Sequence, residues 1–204
     1  MGNDPTNEVK PLPFNKALSG ISEKTIEIHH DKLYAGYVAK ANEIGETLSE
    51  FALGKKEING NQTYSEFRSL RMGETFAKNG AYLHEYYFNT LGGDGVVPEN
   101  LLTKEIAEKW GSVEQFIKYF SESGMAMRGW VVLCWDTQAA RLKVYGCDSH
   151  NQGAVWGCMP IIVLDVYEHA YFIDYGSDRK SYIEAFWKNL NWEAANEIFE
   201  RVMS

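Results

Sequence analysis

A chain of 204 residues with 45% apolar side chains is long enough to bury one large core or two small ones. Its formal charge of −8 and pI near 5.2, without any lysine or arginine run, disfavour a nucleic-acid partner. No apolar stretch reaches the length of a membrane span, and the polar opening is unlike a signal peptide. Cys134, Cys147 and Cys158 stand in no zinc or C-x-x-C spacing, so a cytoplasmic protein with reduced, mostly buried thiols is expected.

Residues 1–20, with Pro5, Pro11 and Pro13 and closed by Gly20, predict an extended leader. Ser22 three before Thr25, with Glu23 and Glu27 in the first turn, predicts a helix that Ile26, Leu33, Tyr37 and Val38 carry to about Glu46. Gly54 and the Asn-Gly-Asn stretch around residue 60 end that pattern. A second helical segment is expected from about Tyr64 to Asn89, with interruptions near Gly73 and Gly80. Its apolar part is Phe67, Leu70, Phe76, Tyr82, Leu83, Tyr86 and Tyr87. Gly92-Gly93-Asp94-Gly95 followed by Pro98 is the clearest linker and divides a helical domain, residues 1–95, from a second domain, residues 96–204. Leu101 to Trp110 and Val113 to Ser123 then read as short amphipathic helices, the second capped by Ser112. Gly129 to Asp136 and Arg141 to Cys147 read as a hairpin turned by Thr-Gln-Ala-Ala, with Ile161 to Asp165 as a third strand. A single closing helix is expected from Ser181 to Met203. The class is α+β: an N-terminal antiparallel helical hairpin, then a small three-stranded antiparallel sheet wrapped by helices.

The third strand ends on a carboxylate, Asp165, and His169 follows four residues later with Glu168 beside it. Such groups are costly to desolvate at the end of a buried strand unless something pairs with them. The partner is either a metal or a network of hydrogen bonds, and the other histidines bear on the choice. There are five in all: His29, His30, His84, His150 and His169. His29 and His30 are neighbours, so one of them is expected to face the core of the first helix. Tyr37 lies about 80° round that helix from His29 and could line the same pocket. His84 sits among aromatics on the second helix. Packed against the strand ending at Asp165, two antiparallel helices could bring three imidazoles and one carboxylate together. That set, with an open position, suits redox-active iron or manganese.

These motifs resemble the iron/manganese superoxide dismutase family over nearly the whole chain. T-I-E-I-H-H-D-K-L-Y-A-G-Y-V resembles the family's first ligand helix, which implies His29 as ligand and Tyr37 as the gateway residue. H-E-Y-Y-F-N resembles the second ligand segment and implies His84. D-V-Y-E-H-A-Y-F resembles the family's D-x-W-E-H-A-Y-Y and implies Asp165 and His169. I-D-Y-G-S-D-R-K-S-Y and F-W-K-N-L-N-W resemble its C-terminal region. The resemblance implies dismutation of superoxide to dioxygen and peroxide by redox cycling of one iron or manganese ion per subunit, in a homodimer or tetramer. It also implies a side-chain donor to the solvent on the metal. Gly80 occupies one of the two positions where the family carries a glutamine for this purpose. The other lies in D-S-H-N-Q-G, where Gln152 fits by residue type and His150 by spacing, with His150 ranked first. His30, Leu33, Trp130, Glu168, Phe172 and Arg179 are implied around the ligands or at the subunit interface.

This sequence departs from the family pattern at several of those places. A histidine four after the first ligand is replaced by Leu33, and a tyrosine three after the last by Phe172. An apolar contact across the interface is therefore expected instead of a hydrogen bond, with proton supply leaning on Tyr37 and solvent. Tyr167 replaces the motif's tryptophan and Val132 a second pocket tryptophan, while Trp130 remains. Glu168 is expected to bond the partner's equivalent of His169. Arg179 could attract the anionic substrate or make an ordinary surface ion pair. A histidine donor and Val163 two before Asp165 resemble iron-type members, Gly80 with a sheet-side donor resembles manganese-type ones, and the balance favours iron. Two alternatives stand beside this reading. An oxidase or oxygenase would use two histidines and one carboxylate, and a non-catalytic relative would show a broken ligand or a lost Tyr37.

Overall fold

The computed structural model describes residues 6–203; Pro5 and the rest of residues 1–5 lie outside the described part of the leader. The first helical run starts where Ser22 caps it, its hydroxyl accepting from the Thr25 N–H, and continues through α1 (Glu23–Glu27). It then widens into a π-helical stretch, Ile28–Tyr34, in which the Ala35 N–H reaches the His30 carbonyl five residues back. Beyond this, α2 (Ala35–Ala52) buries Val38, Ala41, Ile44, Leu48 and Phe51 along one stripe. The wide turn corrects the expectation that only one of two neighbouring histidines faces inward. Both His29 and His30 are buried, because an i→i+5 turn brings successive side chains closer around the axis than an α-helix does.

Helix α3 (Glu66–Asn89) is capped by Ser65 and runs without a break. The interruptions expected at Gly73 and Gly80 are absent because both glycines serve close packing of the hairpin. Gly73 faces Ile44, and Gly80 lies under the ring of Tyr37. Helices α2 and α3 thus approach along a seam that buries Ala77, Gly80, Ala81, His84, Tyr87 and Phe88.

After the linker, Asn100 and Thr103 form a capping box for α4 (Leu101–Trp110), and Gly111 closes it in the left-handed region at φ 87°. Ser112 caps α5 (Val113–Ala126). Three strands follow, β1 (Trp130–Asp136), β2 (Arg141–Cys147) and β3 (Cys158–Asp165), antiparallel in the order β2-β1-β3. The central strand is buried along most of its length, and its register sets Trp130 beside Asp165 at the inner end. Beyond β3 a 3₁₀ turn, Glu168–Ala170, and a short helix, α6 (Phe172–Tyr175), lead to α7 (Arg179–Lys188) and α8 (Trp192–Met203).

The single closing helix expected from Ser181 is therefore two helices. The linker passes the break: Gly93 N–H donates to the Asn189 carbonyl at 2.9 Å and Gly95 N–H to that of Leu190 at 3.2 Å. A Cβ at Gly93 would run into the Leu190 backbone. Carbonyls turned toward the linker cannot also continue a helix, so the chain restarts with Asn191, whose side chain accepts from the Ala194 N–H. No helix among the described residues is long and apolar enough to cross a membrane.

Candidate metal centre

Four side chains from three distant segments meet between the hairpin and the sheet. His29 comes from the π-helical stretch, His84 from α3, Asp165 from the end of β3, and His169 from the 3₁₀ turn. One ligand atom from each lies within 4.8 Å of all the others. The Nε2 atoms of His29 and His169 are each 3.1 Å from Asp165 Oδ2, and that of His84 is 3.7 Å away. His29, His84 and Asp165 are completely buried.

Each local fold aims its group. Asp165 divides its carboxylate: Oδ1 accepts from the Tyr167 N–H at 2.9 Å, which turns the chain out of the sheet, and Oδ2 is left for the three imidazoles. Its backbone carbonyl accepts from the Tyr182 hydroxyl at 2.7 Å, and the Tyr182 hydroxyl oxygen lies 3.2 Å from that of Tyr87. His84 Nδ1 donates to the Gly80 carbonyl at 2.6 Å, so its proton is on Nδ1 and Nε2 presents a lone pair. That Nε2 is buried and has no hydrogen-bond partner among the described residues. A buried, unpaired imidazole lone pair aimed at a carboxylate is unfavourable in a purely hydrogen-bonded cluster and suits a metal ligand. The donor set fits an iron or manganese ion.

Burial holds the imidazoles of His29 and, more strongly, His84 below their ordinary range, which keeps them neutral as ligands. Burial would raise the Asp165 carboxyl, but the charge of His169 and hydrogen bonds from His169 and His29 hold it far below the usual carboxylate range. Burial also works against a proton on His169, but the Asp165 charge and hydrogen bond outweigh it and push that imidazole up.

Around the ligands the structure separates residues that the sequence left together. His150 is buried, and its Nδ1 accepts from Trp130 Nε1 at 2.9 Å, leaving the proton on Nε2. Its ring lies 4.6 Å from that of Tyr37, 5.2 Å from that of Tyr167 and 6.0 Å from that of His84. Gln152, in contrast, is exposed on the outside of the same loop. Tyr37 is half-buried over the His84 ring, with 5.4 Å between centroids, and burial followed by the Asp165 charge raises its phenol. Val132 pairs with Val163 on the face of the sheet that carries Trp130 and Asp165. Tyr167 stacks on His169, with centroids 5.3 Å apart and planes at 15°.

His30 points away from the four ligands, to the Lys10 carbonyl at 2.8 Å and to Asp31. Arg179 makes no ion pair among the described residues. Its Nη1 donates to the Met127 carbonyl at 2.7 Å and to that of Gly124 at 3.3 Å, at the end of α5, and its Nε donates to the Tyr171 hydroxyl. Leu33 is half-buried, while Phe172 and Glu168 are exposed. The supports missed in the sequence are Tyr182, which was not singled out there, and Tyr87, which was read only as an apolar residue. Their hydroxyls gave no signal because their partners are 17 and 95 residues apart in sequence.

Fold and site together define a mononuclear centre of three histidines and one aspartate, built between a helical hairpin and a three-stranded sheet. The hairpin, residues 7–92, matches the alpha-hairpin domain of the iron/manganese superoxide dismutases, and residues 98–198 match their C-terminal domain. The chain belongs to the iron/manganese superoxide dismutase family. It is 43% identical over 202 residues to a protein of Aquifex pyrophilus named superoxide dismutase [Fe], covering 98% of this chain and 92% of that one. A protein of Halobacterium salinarum named superoxide dismutase [Mn] 1 is 35% identical over 202 residues, covering 95% of each.

Proposed function

We propose that this chain is a superoxide dismutase that binds one iron or manganese ion through His29, His84, Asp165 and His169. The observation that carries the reading is the unpaired, buried Nε2 of His84 aimed with two other imidazoles at one carboxylate oxygen. The bound ion supplies one-electron oxidation and reduction, by which superoxide becomes dioxygen in one half-cycle and peroxide in the other. The chain supplies the rest. Asp165 brings the one carboxylate to three imidazoles, and Gly80 fixes the tautomer of His84. His150 presents an Nε2–H to the pocket, held by Trp130, and is the residue to which we assign the donor role; Tyr37 beside it is the entrance phenol. The exposed Gln152 has neither role.

Iron is the metal we propose, on the histidine donor, on Val163 and on the iron naming of relatives at 43% identity. The assembly we propose is a homodimer with Glu168 directed at the partner and the exposed Phe172 meeting Leu33 across the interface. The division into domains at residue 95 is supported by the glycine linker and the separate family matches on either side of it. A cytoplasmic location fits three cysteines held as free thiols, and cell fractionation tests it. The primary test is metal content and superoxide-scavenging rate on protein reconstituted separately with iron and with manganese. Turnover is expected with at least one, higher with iron; one tightly held ion per chain without turnover in either form would overturn the assignment.

A further inference from the structure

Outside the metal centre, two of the three thiols are neighbours on one face of the sheet. Strands β1 and β3 pair Cys134 with Pro160 and Asp136 with Cys158, so these four side chains stand on one face of the sheet. Cys134 and Cys158 are diagonal neighbours in this ladder, beside a register shift between Leu133 and Cys134. Such irregularities increase local twist and draw one diagonal of an antiparallel pair together. The Cys134 Sγ–H donates to the Lys143 carbonyl at 3.6 Å, and Cys158 lies close enough for its charge to raise the Cys134 thiol. Their accessibility differs. Cys134 is buried in the core, whereas Cys158 is part-exposed at the outer end of β3. Burial, and then the neighbouring Cys158, keep the Cys134 thiol protonated, far above its ordinary range. Cys147 is a bystander: it is buried opposite Trp130 at the other end of the central strand, and burial pushes its thiol up to about 11.

We propose that Cys134 and Cys158 are a peroxide-oxidisable pair that closes into a cross-strand disulfide. The Cys158 sulfur attacks one peroxide oxygen and breaks the O–O bond. Its proton leaves with the other oxygen as water, and Cys158 becomes a sulfenic acid. The Cys134 sulfur then displaces that hydroxyl, which takes the Cys134 proton and leaves as a second water while the S–S bond forms. Two thiols give up two electrons and peroxide is reduced to two waters. The oxidant is the product of the activity proposed above, and to that extent the inference rests on that reading. The resolving thiol, a diagonal neighbour on the same face, protects Cys158 from irreversible oxidation. A thiol-reducing system reverses the bond, as befits a pair in a compartment where disulfides are transient.

The test treats the metal-loaded protein with hydrogen peroxide, quenches with catalase and counts thiols after denaturation, alongside intact-chain mass. Three alkylatable thiols are expected to fall to one, with a chain lighter by two hydrogen atoms, and dithiothreitol restores both. Cys147→Ser retains the two-hydrogen loss. Cys134→Ser and Cys158→Ser abolish it, and Cys134→Ser instead accumulates oxygen on Cys158. Oxygen addition at Cys158 in the native chain, a disulfide to Cys147, a covalent dimer or three unchanged thiols would each overturn the proposal. Because peroxide is added directly, this outcome is independent of whether the chain turns over superoxide. A separate arm with a superoxide source and no added peroxide reports that.

Discussion

A Cβ at position 80 would lie 2.8 Å from Tyr37 Cδ1 and 2.9 Å from its Cγ, closer than real side chains approach. The residue that leaves room for Tyr37 is thus the same one whose carbonyl sets the tautomer of His84. Gly80→Ala is expected to displace the Tyr37 ring, lower turnover and cost about 1–3 kcal/mol in stability. Because the two residues touch, the loss should shrink when Tyr37 is also truncated, as a double-mutant cycle would read out. For the donor role, His150→Ala should weaken metal affinity or activity by about 10–100-fold, the usual effect of losing a group that supports a metal site. Gln152→Ala, on the exposed side of the loop, should change either by no more than about twofold. His150 also makes a pH prediction. Burial lowers its imidazole to about 4, while the unfolded chain titrates near its ordinary value of 6.5. The unfolded state therefore binds the extra proton first, and the contribution of His150 to stability is full above about pH 6.5 and lost as pH falls toward about 4. Denaturant unfolding of His150→Gln across that window should show a shallower slope, and an unchanged slope would contradict the assignment.

Helix ends carry the next level of organisation. Arg179 ties α7 to the carbonyls that end α5, and its two backbone acceptors leave it less free to steer an anion than a solvent-facing charge. Arg179→Ala is expected to cost about 1–3 kcal/mol, since charge-assisted hydrogen bonds to two part-buried carbonyls are lost. Were steering its main task, thermal stability would hold and only the salt dependence of the rate would flatten. At the other end of the site, Asp174 on α6 accepts from the Ser22 N–H at 2.9 Å and the Thr25 hydroxyl at 2.8 Å, clasping the start of α1. Burial alone would raise its carboxyl, but these bonds hold it below the usual range. Its stabilising effect is therefore present above its unfolded value near 3.8 and fades as pH falls through the lower folded value. Asp174→Asn should destabilise the protein at neutral pH and reduce the acid-induced loss, as acid titration of unfolding would show.

For the whole molecule, the proposed interface puts Phe172, 55% exposed in the single chain, against a second copy. Phe172→Asp would desolvate a charge in that contact, so sedimentation should show a shift from dimer toward monomer. An unchanged dimer would place the interface elsewhere. Much of this architecture was legible in the sequence. Ser22 and Ser112 announced their helices through cap chemistry, and β1 and β2 emerged from apolar runs bounded by turn residues. Asp165 and His169 also stood out, because carboxylate and imidazole beside a buried strand need a partner, while His29 and His84 were singled out by the resemblance to a known family. These are signals carried by residues a few positions apart.

What escaped depended on distant neighbours. The π-helical turn that buries both His29 and His30 is paid for by packing against α3 and the leader, which no local propensity records. The break between α7 and α8 exists because linker N–H groups arriving from Gly93 and Gly95 claim carbonyls that a helix would have used. His150 and Gln152 are two residues apart on one polar loop, and only the Trp130 indole, 20 residues away, draws one inward and leaves the other in solvent. The sequence by itself determined the elements and the kinds of ligand, since these follow from side-chain chemistry and short-range periodicity. The tertiary structure decided which groups face each other, since burial and hydrogen-bond partners are properties of surfaces that meet only after the chain has folded.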